Sequence, residues 1–204
     1  MAATKLAKYQ RMRDFSQTAE PSGSGKVKPS EALRFVIQKH AASHLHFDLR
    51  LEHDGVFKSW AVPKGPSLDP HDRRLAMEVE DHPLDYGDFE GTIPKGQYGG
   101  GTVMLWDRGY WAPEQGFTDI GRALAAGELK FVMEGSRMHG GWVLVRTRRD
   151  DRGRASWMLI KHRDPAAAPG NPDAPDDDDR SVASGRLMRD ITAGRGKPPK
   201  PFMT

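Results

Sequence analysis

Between His40 and Glu52 the chain reads HAASHLHFDLRLE, and this short stretch concentrates most of the groups able to do chemistry. On a β-strand successive side chains point to opposite faces, so Leu45, Phe47, Leu49 and Leu51 share one face and His44, His46, Asp48 and Arg50 share the other. The apolar face anchors the strand in a core, and the polar face then holds imidazoles, a carboxylate and a guanidinium within a few residues. One strand upstream, His40 closes RFVIQKH, and the brief Ala41-Ala42-Ser43 connection folds it back beside His46. A set of His40, His46 and Asp48 suits manganese, zinc or iron(II) and leaves coordination positions open for water and substrate. The same pattern also fits solvent-facing strand histidines that hold no ion, and the segment by itself leaves both readings open.

Nearby cations suggest what such a centre would act on. Arg50 shares the ligand face, Lys64 and Arg74 flank the next loop, and Arg74 is in phase with Ala76, Glu78, Glu80 and His82. Guanidinium groups grip phosphate oxygens bidentately, and a neighbouring divalent metal neutralises the remaining charge. Taken singly, Lys64 also fits a solvated loop lysine and Arg74 a strand-edge charge. His82 and Tyr86 bracket His-Pro-Leu-Asp-Tyr, where an imidazole could protonate a leaving alkoxide, bond to phosphate, or simply anchor a loop. These residues favour a metal-assisted phosphoesterase, with the place of the site better defined than its reaction.

The elements that must position these groups are mostly strands. RFVIQKH, LHFDLRLE, VFKSWAV, RLAMEVE, TVMLWD, LKFVME, GWVLVRTR and SWMLIKH are short apolar runs separated by turn residues, with too little helix between them for a parallel α/β sheet. The expected fold is therefore all-β dominated: a small closed or nearly closed antiparallel β-barrel. Leu6, Tyr9, Met12 and Phe15 predict a short N-terminal helix over Thr4 to Gln17, followed by a flexible link through Pro21 to Gly25. A minor helical excursion is expected over Asp119 to Ala126, capped by Gly127. The gaps Pro63 to Asp72 and Pro83 to Gly101 are expected at the barrel rim, where functional loops collect. The expected organisation is a helix and linker over 1–25, the barrel over 26–164, and a disordered tail or interdomain linker over 165–204.

Composition narrows the chemistry further. With 204 residues the chain supports one well-cored domain with tails, not two full domains. It contains 0 cysteines, which excludes disulfides, thiolate metal sites and cysteine nucleophiles and leaves His, Asp and Glu as metal ligands. The net charge of +3 permits a polyanionic partner without demanding one. No apolar run approaches the roughly 18 residues of a membrane span, and the N-terminus lacks the apolar stretch of a secretory signal, so a cytoplasmic protein is expected.

The strings FVIQKHAASHLHFDLRLEHDGVFKSWAVPKGPS and VEDHPLDYGDFEGTIPKGQYGGGTVMLWDRG resemble the signature blocks of the phosphoesterase domain of bacterial DNA ligase D. The likeness runs from RDFSQTAEPSG to WMLIKHRD, and SVASGRLMRDIT resembles the link that follows in multidomain members. The resemblance implies a manganese-dependent β-barrel enzyme that processes 3′ ends of DNA or DNA/RNA primer-templates during end joining. A phosphodiesterase step removes a terminal ribonucleoside, and a phosphomonoesterase step then removes the 3′-phosphate. It implies His40, His46 and Asp48 as metal ligands, and Arg50, Lys64, Arg74, His82 and Tyr86 at or near the phosphate, with Glu80 in the same active-site block. It places Arg13, Asp14 and Glu20 on the departing nucleoside. Ligase and polymerase modules and the end-binding protein Ku are the partners it implies, and work on DNA places the chain at the nucleoid.

Two other classes fit parts of the pattern. A cupin-like metal oxygenase also builds a metal site from histidines on a small barrel, but would have to neutralise Arg50, Lys64 and Arg74 around a small organic substrate. A noncatalytic nucleic-acid-binding barrel explains the cations and not the ligand face.

Overall fold

A computed structural model describes residues 5–25, 27–149, 155–170 and 180–204. Nine strands form one antiparallel sheet: β1 (Arg34–Ala41), β2 (Leu45–His53), β3 (Val56–Val62), β4 (Arg74–Glu78), β5 (Gly91–Ile93), β6 (Gly101–Pro113), β7 (Glu128–Gly135), β8 (His139–Arg149) and β9 (Ala155–Lys161). Eight of them close a barrel in the order β1-β2-β3-β4-β9-β8-β7-β6, with β6 returning to pair with β1. The remaining strand, β5, adds to β6 near its start, while β7 takes the same edge further on. This is the antiparallel barrel expected from the alternating runs.

Local chemistry explains the corners. The β2–β3 hairpin turns through Asp54 and Gly55, both at positive φ (51° and 78°), the conformation that a two-residue type I′ turn demands. Between β6 and β7, helix α2 (Ile120–Ala126) starts at Asp119, whose carboxylate accepts the Arg122 N–H at 3.0 Å, and stops at Gly127 with φ 93°. It follows α1 (Ala7–Arg11) and precedes α3 (Met188–Thr192).

Phe47, Leu49 and Leu51 of β2 face inward and pack with Trp60, Trp142 and Trp157, all at most 2% exposed. Each buried ring removes about 150–250 Å² from water, worth roughly 4–6 kcal/mol before conformational entropy is subtracted. The interior is thus filled with side chains. On the outer wall a second apolar layer gathers Val36, Phe57, Leu84, Leu105 and Met203, and a third gathers Tyr9, Tyr86, Phe89, Ile93 and Val103. The alternation of β1 and β2 therefore sends His40, His46, Asp48 and Arg50 outward, under these added layers. The site lies on the barrel wall and not at the rim.

Three expectations are corrected. Helix α1 spans Ala7–Arg11 and stops short of the expected Gln17, because Asp14 accepts the N–H of Ser16 at 3.0 Å and its hydroxyl at 2.6 Å, a local turn that competes with the helical ladder; Thr4, where the helix is expected to begin, lies outside the described residues. The Ser22–Gly25 run is laid on the barrel, where Ser22 accepts from the Gln10 amide at 3.1 Å and the Gly25 N–H reaches Asp85 at 3.3 Å. The disordered tail expected over 165–204 does not hold for 180–204: Ala183, Leu187, Ile191 and Met203 are buried against the outer wall. Its apolar residues are few, but they meet an outer wall that is itself apolar. The part of that expectation falling on 171–179 lies outside the described residues.

Candidate active site

Antiparallel register sets His40 directly opposite His46, and their rings stand 4.7 Å apart. Asp48 follows on the same face, with Oδ2 3.5 Å from His40 Nδ1 and Oδ1 3.7 Å from His46 Nε2. One donor atom from each of the three residues lies within 4.8 Å of the others, and this is the set of such donors found among the described residues. The remaining imidazole nitrogens decide which lone pairs are presented. His40 Nε2 sits 2.9 Å from the Gly99 carbonyl and His46 Nδ1 3.0 Å from the His44 carbonyl. A carbonyl only accepts, so both of those nitrogens carry the proton, and the lone pairs of His40 Nδ1 and His46 Nε2 turn toward Asp48. Backbone acceptors of this kind fix the tautomer of metal-ligating histidines. Gly101 makes the Gly99 contact reachable: a Cβ there would meet the Ala41 carbonyl at 2.4 Å, so only glycine lets β6 begin so close to the end of β1.

Arg50 stands beside this set with its donors unequally used. Its Nε donates to Gln38 Oε1 at 2.7 Å, its Nη2 lies 3.3 Å from Asp48 Oδ2, and its buried Nη1 has no partner among the described residues. Leaving a buried charged donor unmade costs on the order of 1–3 kcal/mol, which an incoming anion would recover. Burial would raise the Asp48 carboxyl, but the Arg50 guanidinium beside it outweighs that and holds the group well below the usual carboxylate range. Asp48 is therefore an anion ready to share charge with a cation.

The wall opposite is built by the N-terminal arm and the segment after β4. Arg13 donates from Nε to Glu20 at 2.9 Å and from Nη1 to Glu80 at 3.1 Å, and its Nη2 lies 3.2 Å from His82 Nε2. His82 Nδ1 donates to the Glu80 carbonyl at 2.8 Å, so Nε2 accepts from Arg13 and the ring is neutral. Burial, reinforced by Arg50 and Arg13, holds the His82 imidazole well below its ordinary proton affinity. Tyr86, carried by the 3-10 turn Leu84–Asp88, donates to Glu20 at 3.0 Å, and its ring lies 4.9 Å from the Arg50 guanidinium carbon. Burial and then Glu20 push the Tyr86 phenol well above its usual range. Together these groups line a pocket of about 260 Å³. A water occupies about 30 Å³ in the liquid, so a polyatomic ligand fits.

Of the residues singled out in the sequence, Arg13, Glu20, His40, His46, Asp48, Arg50, Glu80, His82 and Tyr86 line this one pocket. Three do not. Asp14 is exposed and engaged with Ser16; Lys64 is exposed on its loop; Arg74 is paired with Asp72 at 2.6 Å and donates to the Lys64 carbonyl at 3.1 Å. Sequence reasoning missed Gln38, Tyr98 and Gly99. Gln38 shares the alternation phase of His40 and was open to discovery from it, whereas nothing in the Gly-rich stretch marks the Gly99 carbonyl or the Tyr98 ring as pocket wall.

Fold and pocket define an antiparallel β-barrel that carries, on its outer wall, a three-donor set beside an arginine lacking an acceptor. The family model described as the DNA Ligase D 3'-phosphoesterase domain matches residues 38–146. This chain belongs to that family. It is 55% identical over 161 residues to the multifunctional non-homologous end joining protein LigD of Pseudomonas aeruginosa, covering 78% of this chain and 19% of that protein. It is 43% identical over 148 residues to the multifunctional non-homologous end joining DNA repair protein LigD of Mycobacterium tuberculosis, covering 72% and 19%. The corresponding figures for the protein of Mycolicibacterium smegmatis are 40% over 151 residues, 72% and 20%. The chain thus spans about a fifth of the length of these relatives. Among the described residues no helix is long and apolar enough to cross a membrane.

Proposed function

We propose that this chain is a manganese-dependent 3′-end-processing phosphoesterase acting in DNA end joining. It first removes a 3′-terminal ribonucleoside and then the remaining 3′-phosphate, leaving a ligatable 3′-hydroxyl. The observation that carries this reading is the unpartnered Nη1 of Arg50, buried beside the His40, His46 and Asp48 donors. A phosphate oxygen is the acceptor that this donor lacks, and the family membership supplies the class of reaction. A metal oxygenase would leave Arg50 Nη1 unanswered, and a noncatalytic nucleic-acid-binding barrel would answer it but give the His40, His46 and Asp48 donors no role.

The residues present fit a divalent metal: two imidazoles, each with its other ring nitrogen bonded to a backbone carbonyl, and one ionised carboxylate are borderline-to-hard donors. His40, His46 and Asp48 would hold it, and when bound it supplies Lewis acidity and neutralising charge at the phosphorus centre. The choice of manganese rests on the resemblance to the family. Arg50 donates from Nη1 to a phosphoryl oxygen and holds the charge that grows there in the transition state. Arg13, Glu20 and Glu80 wall the side where a leaving nucleoside would sit.

In the first step water adds to phosphorus, the bond to the ribonucleoside oxygen breaks, and a proton ends on that oxygen. In the second, a further water adds to phosphorus, the bond to the primer 3′ oxygen breaks, a proton ends on that oxygen, and inorganic phosphate leaves. His82 accepts from Arg13 through Nε2, so it acts as an electrostatic and positioning group until incoming phosphate charge raises its affinity for a proton. DNA ends are the substrate, in the cytoplasm at the nucleoid, with ligase and polymerase modules and Ku as the partners the family resemblance implies.

The test is a duplex whose primer strand ends in one ribonucleotide, incubated with manganese. Transient 3′-phosphate followed by 3′-hydroxyl is expected, with both products abolished by EDTA. An unchanged primer at saturating manganese overturns the proposal.

A further inference from the structure

The C-terminal segment lies outside the residues that match the family model, yet it is tied to the pocket by a continuous chain of buried contacts. Arg186 donates to Glu90 Oε1 from Nη2 at 2.8 Å and from Nε at 3.1 Å. The Glu90 side chain is fully buried, accepts the Leu105 N–H at 3.1 Å through its other oxygen, and is also hydrogen-bonded by the Ser184 hydroxyl. Two residues earlier, Asp88 accepts the N–H groups of Phe202 at 2.9 Å and Met203 at 3.0 Å. Met203 packs so closely on the turn that a Cβ on Gly87 would lie 2.7 Å from its sulfur. The strap therefore grips both Asp88 and Glu90, on the 3-10 turn that carries Tyr86 and just past its end.

From that turn the contacts run directly to the anion site. The carbonyls of Tyr86 and Phe89 accept from Gln38 Nε2 at 3.2 and 3.0 Å. Two carbonyl acceptors identify that atom as the amide nitrogen, so Oε1 must face the other way, where it accepts from Arg50 Nε at 2.7 Å. Gln38 is fully buried, and these are the side-chain hydrogen bonds it makes among the described residues. A displacement of the turn would withdraw both carbonyls from the amide, rotate it, and release the guanidinium from its plane.

We propose that the strap of residues 180–204 positions Arg50 for phosphate, with Arg186 and Gln38 as positioning residues acting through the Leu84–Glu90 turn. The proposal deepens the phosphoesterase reading and rests on it for the identity of the anion. Neither residue touches the substrate. Their effect is on the aim of a donor that does, and misplacement of such a group by about 1 Å is enough to cost on the order of a hundredfold.

The test uses the full chain with Arg186→Ala, Arg186→Lys, Ser184→Ala and Gln38→Leu, and with Arg195→Ala as a strap variant whose side chain is exposed. Two quantities are read: the exchange protection of the Arg50 Nε–H resonance by NMR in metal-free protein, and the affinity for inorganic phosphate as a competitor of 3′-phosphate hydrolysis. The resonance is assigned by its loss in Arg50→Lys. Arg186→Ala and Gln38→Leu should lose Nε–H protection and bind phosphate about tenfold to a hundredfold more weakly, at unchanged manganese affinity. Arg186→Lys should recover part of both, and Arg195→Ala should match the unsubstituted protein.

A folded Arg186→Ala protein with full protection and full phosphate affinity overturns the proposal. If Arg186→Ala fails to fold, Ser184→Ala decides: a smaller shift in the same direction supports the strap, and an unchanged Arg50 signal overturns it. An unsubstituted protein that neither binds phosphate nor hydrolyses a 3′-phosphate defeats the phosphoesterase reading instead, while the NMR measurement still decides the positioning.

Discussion

Arg50 and Arg74 carry the same guanidinium on neighbouring parts of one barrel, but their surroundings have opposite character. Arg74 is satisfied at both ends, by Asp72 at 2.6 Å and by the Lys64 carbonyl at 3.1 Å, and Asp72 is held in turn by the Ser67 hydroxyl at 2.7 Å. Arg50 is buried, clamped by Gln38, and left with one donor unmade. An arginine that has already found its carboxylate must give it up before it binds an anion. One fixed by a neutral amide can bind without that loss, because its geometry is prepared and its charge is only partly spent on Asp48. Sequence proximity to a metal motif does not distinguish the two; the partner already in place does.

The widest separation is expected in turnover. Arg50→Ala should lower kcat on both a 3′-phosphate and a ribonucleoside diester by roughly a hundredfold to a thousandfold, the loss typical of removing one donor to developing charge. Arg74→Ala should cost only several-fold, about the effect of one charge acting at a distance, and less still at higher salt. Equal losses in steady-state assays of the two variants would break the comparison and put the Pro63 to Arg74 loop at the phosphate.

The N-terminal arm sharpens the same contrast on a smaller scale. Arg13 lies in the pocket while its neighbour Asp14 faces away. Arg13→Ala should therefore slow ribonucleoside release about tenfold more than it slows 3′-phosphate removal, since contacts beyond the phosphorus act only on the diester. Asp14→Ala should leave the ratio of the two rates near that of the unsubstituted protein. Rates on matched primers check this, and a larger split for Asp14→Ala would show that the arm closes differently over a nucleoside.

The smallest effect concerns pH. His82 is held neutral by burial, Arg50 and Arg13, so the unfolded chain takes up a proton there that the folded one resists. The stability of the metal-free protein is then complete above the unfolded value near 6.5 and declines as pH falls below it. His53 is shifted in the same direction and adds to the decline, so comparison with His82→Gln isolates His82. That variant should show a shallower fall in Tm from pH 7.5 to 5.5, by on the order of a few degrees. Parallel curves would mean that His82 is protonated in the folded state.

Much of the architecture was legible because alternation on β2 holds from His46 to Leu51: one pattern predicts both the inward Phe47, Leu49 and Leu51 and the shared face of His46, Asp48 and Arg50, while Leu45, expected on the core face, is exposed at the strand's start. The short Ala41-Ala42-Ser43 connection was enough to bring His40 beside His46, which the register places directly opposite each other. What stayed hidden depends on the layer added outside the barrel. Met203 looks like an isolated apolar residue until the outer wall it covers is known, so composition predicts disorder over 180–204, and the Leu6, Tyr9, Met12 and Phe15 stripe gives no sign of the Asp14–Ser16 turn that ends the helix early. Periodicity reports the face that Arg74 shares and not the carboxylate of Asp72 with which it is paired, so its place outside the pocket lining is not legible in the sequence. Gln38 carries no charge, and its role shows only through the two carbonyls that orient it.

The account depends most on His40, His46 and Asp48 acting together as a single divalent-metal site next to Arg50. Manganese anomalous scattering from crystals soaked with manganese and inorganic phosphate addresses this directly, with Asp48→Asn as the matched control. One manganese on the side chains of His40, His46 and Asp48 is predicted, with a phosphate oxygen in reach of Arg50 Nη1 and the metal peak lost or greatly weakened in Asp48→Asn. Manganese bound elsewhere, or an undiminished peak in the Asp48→Asn crystals, would contradict it.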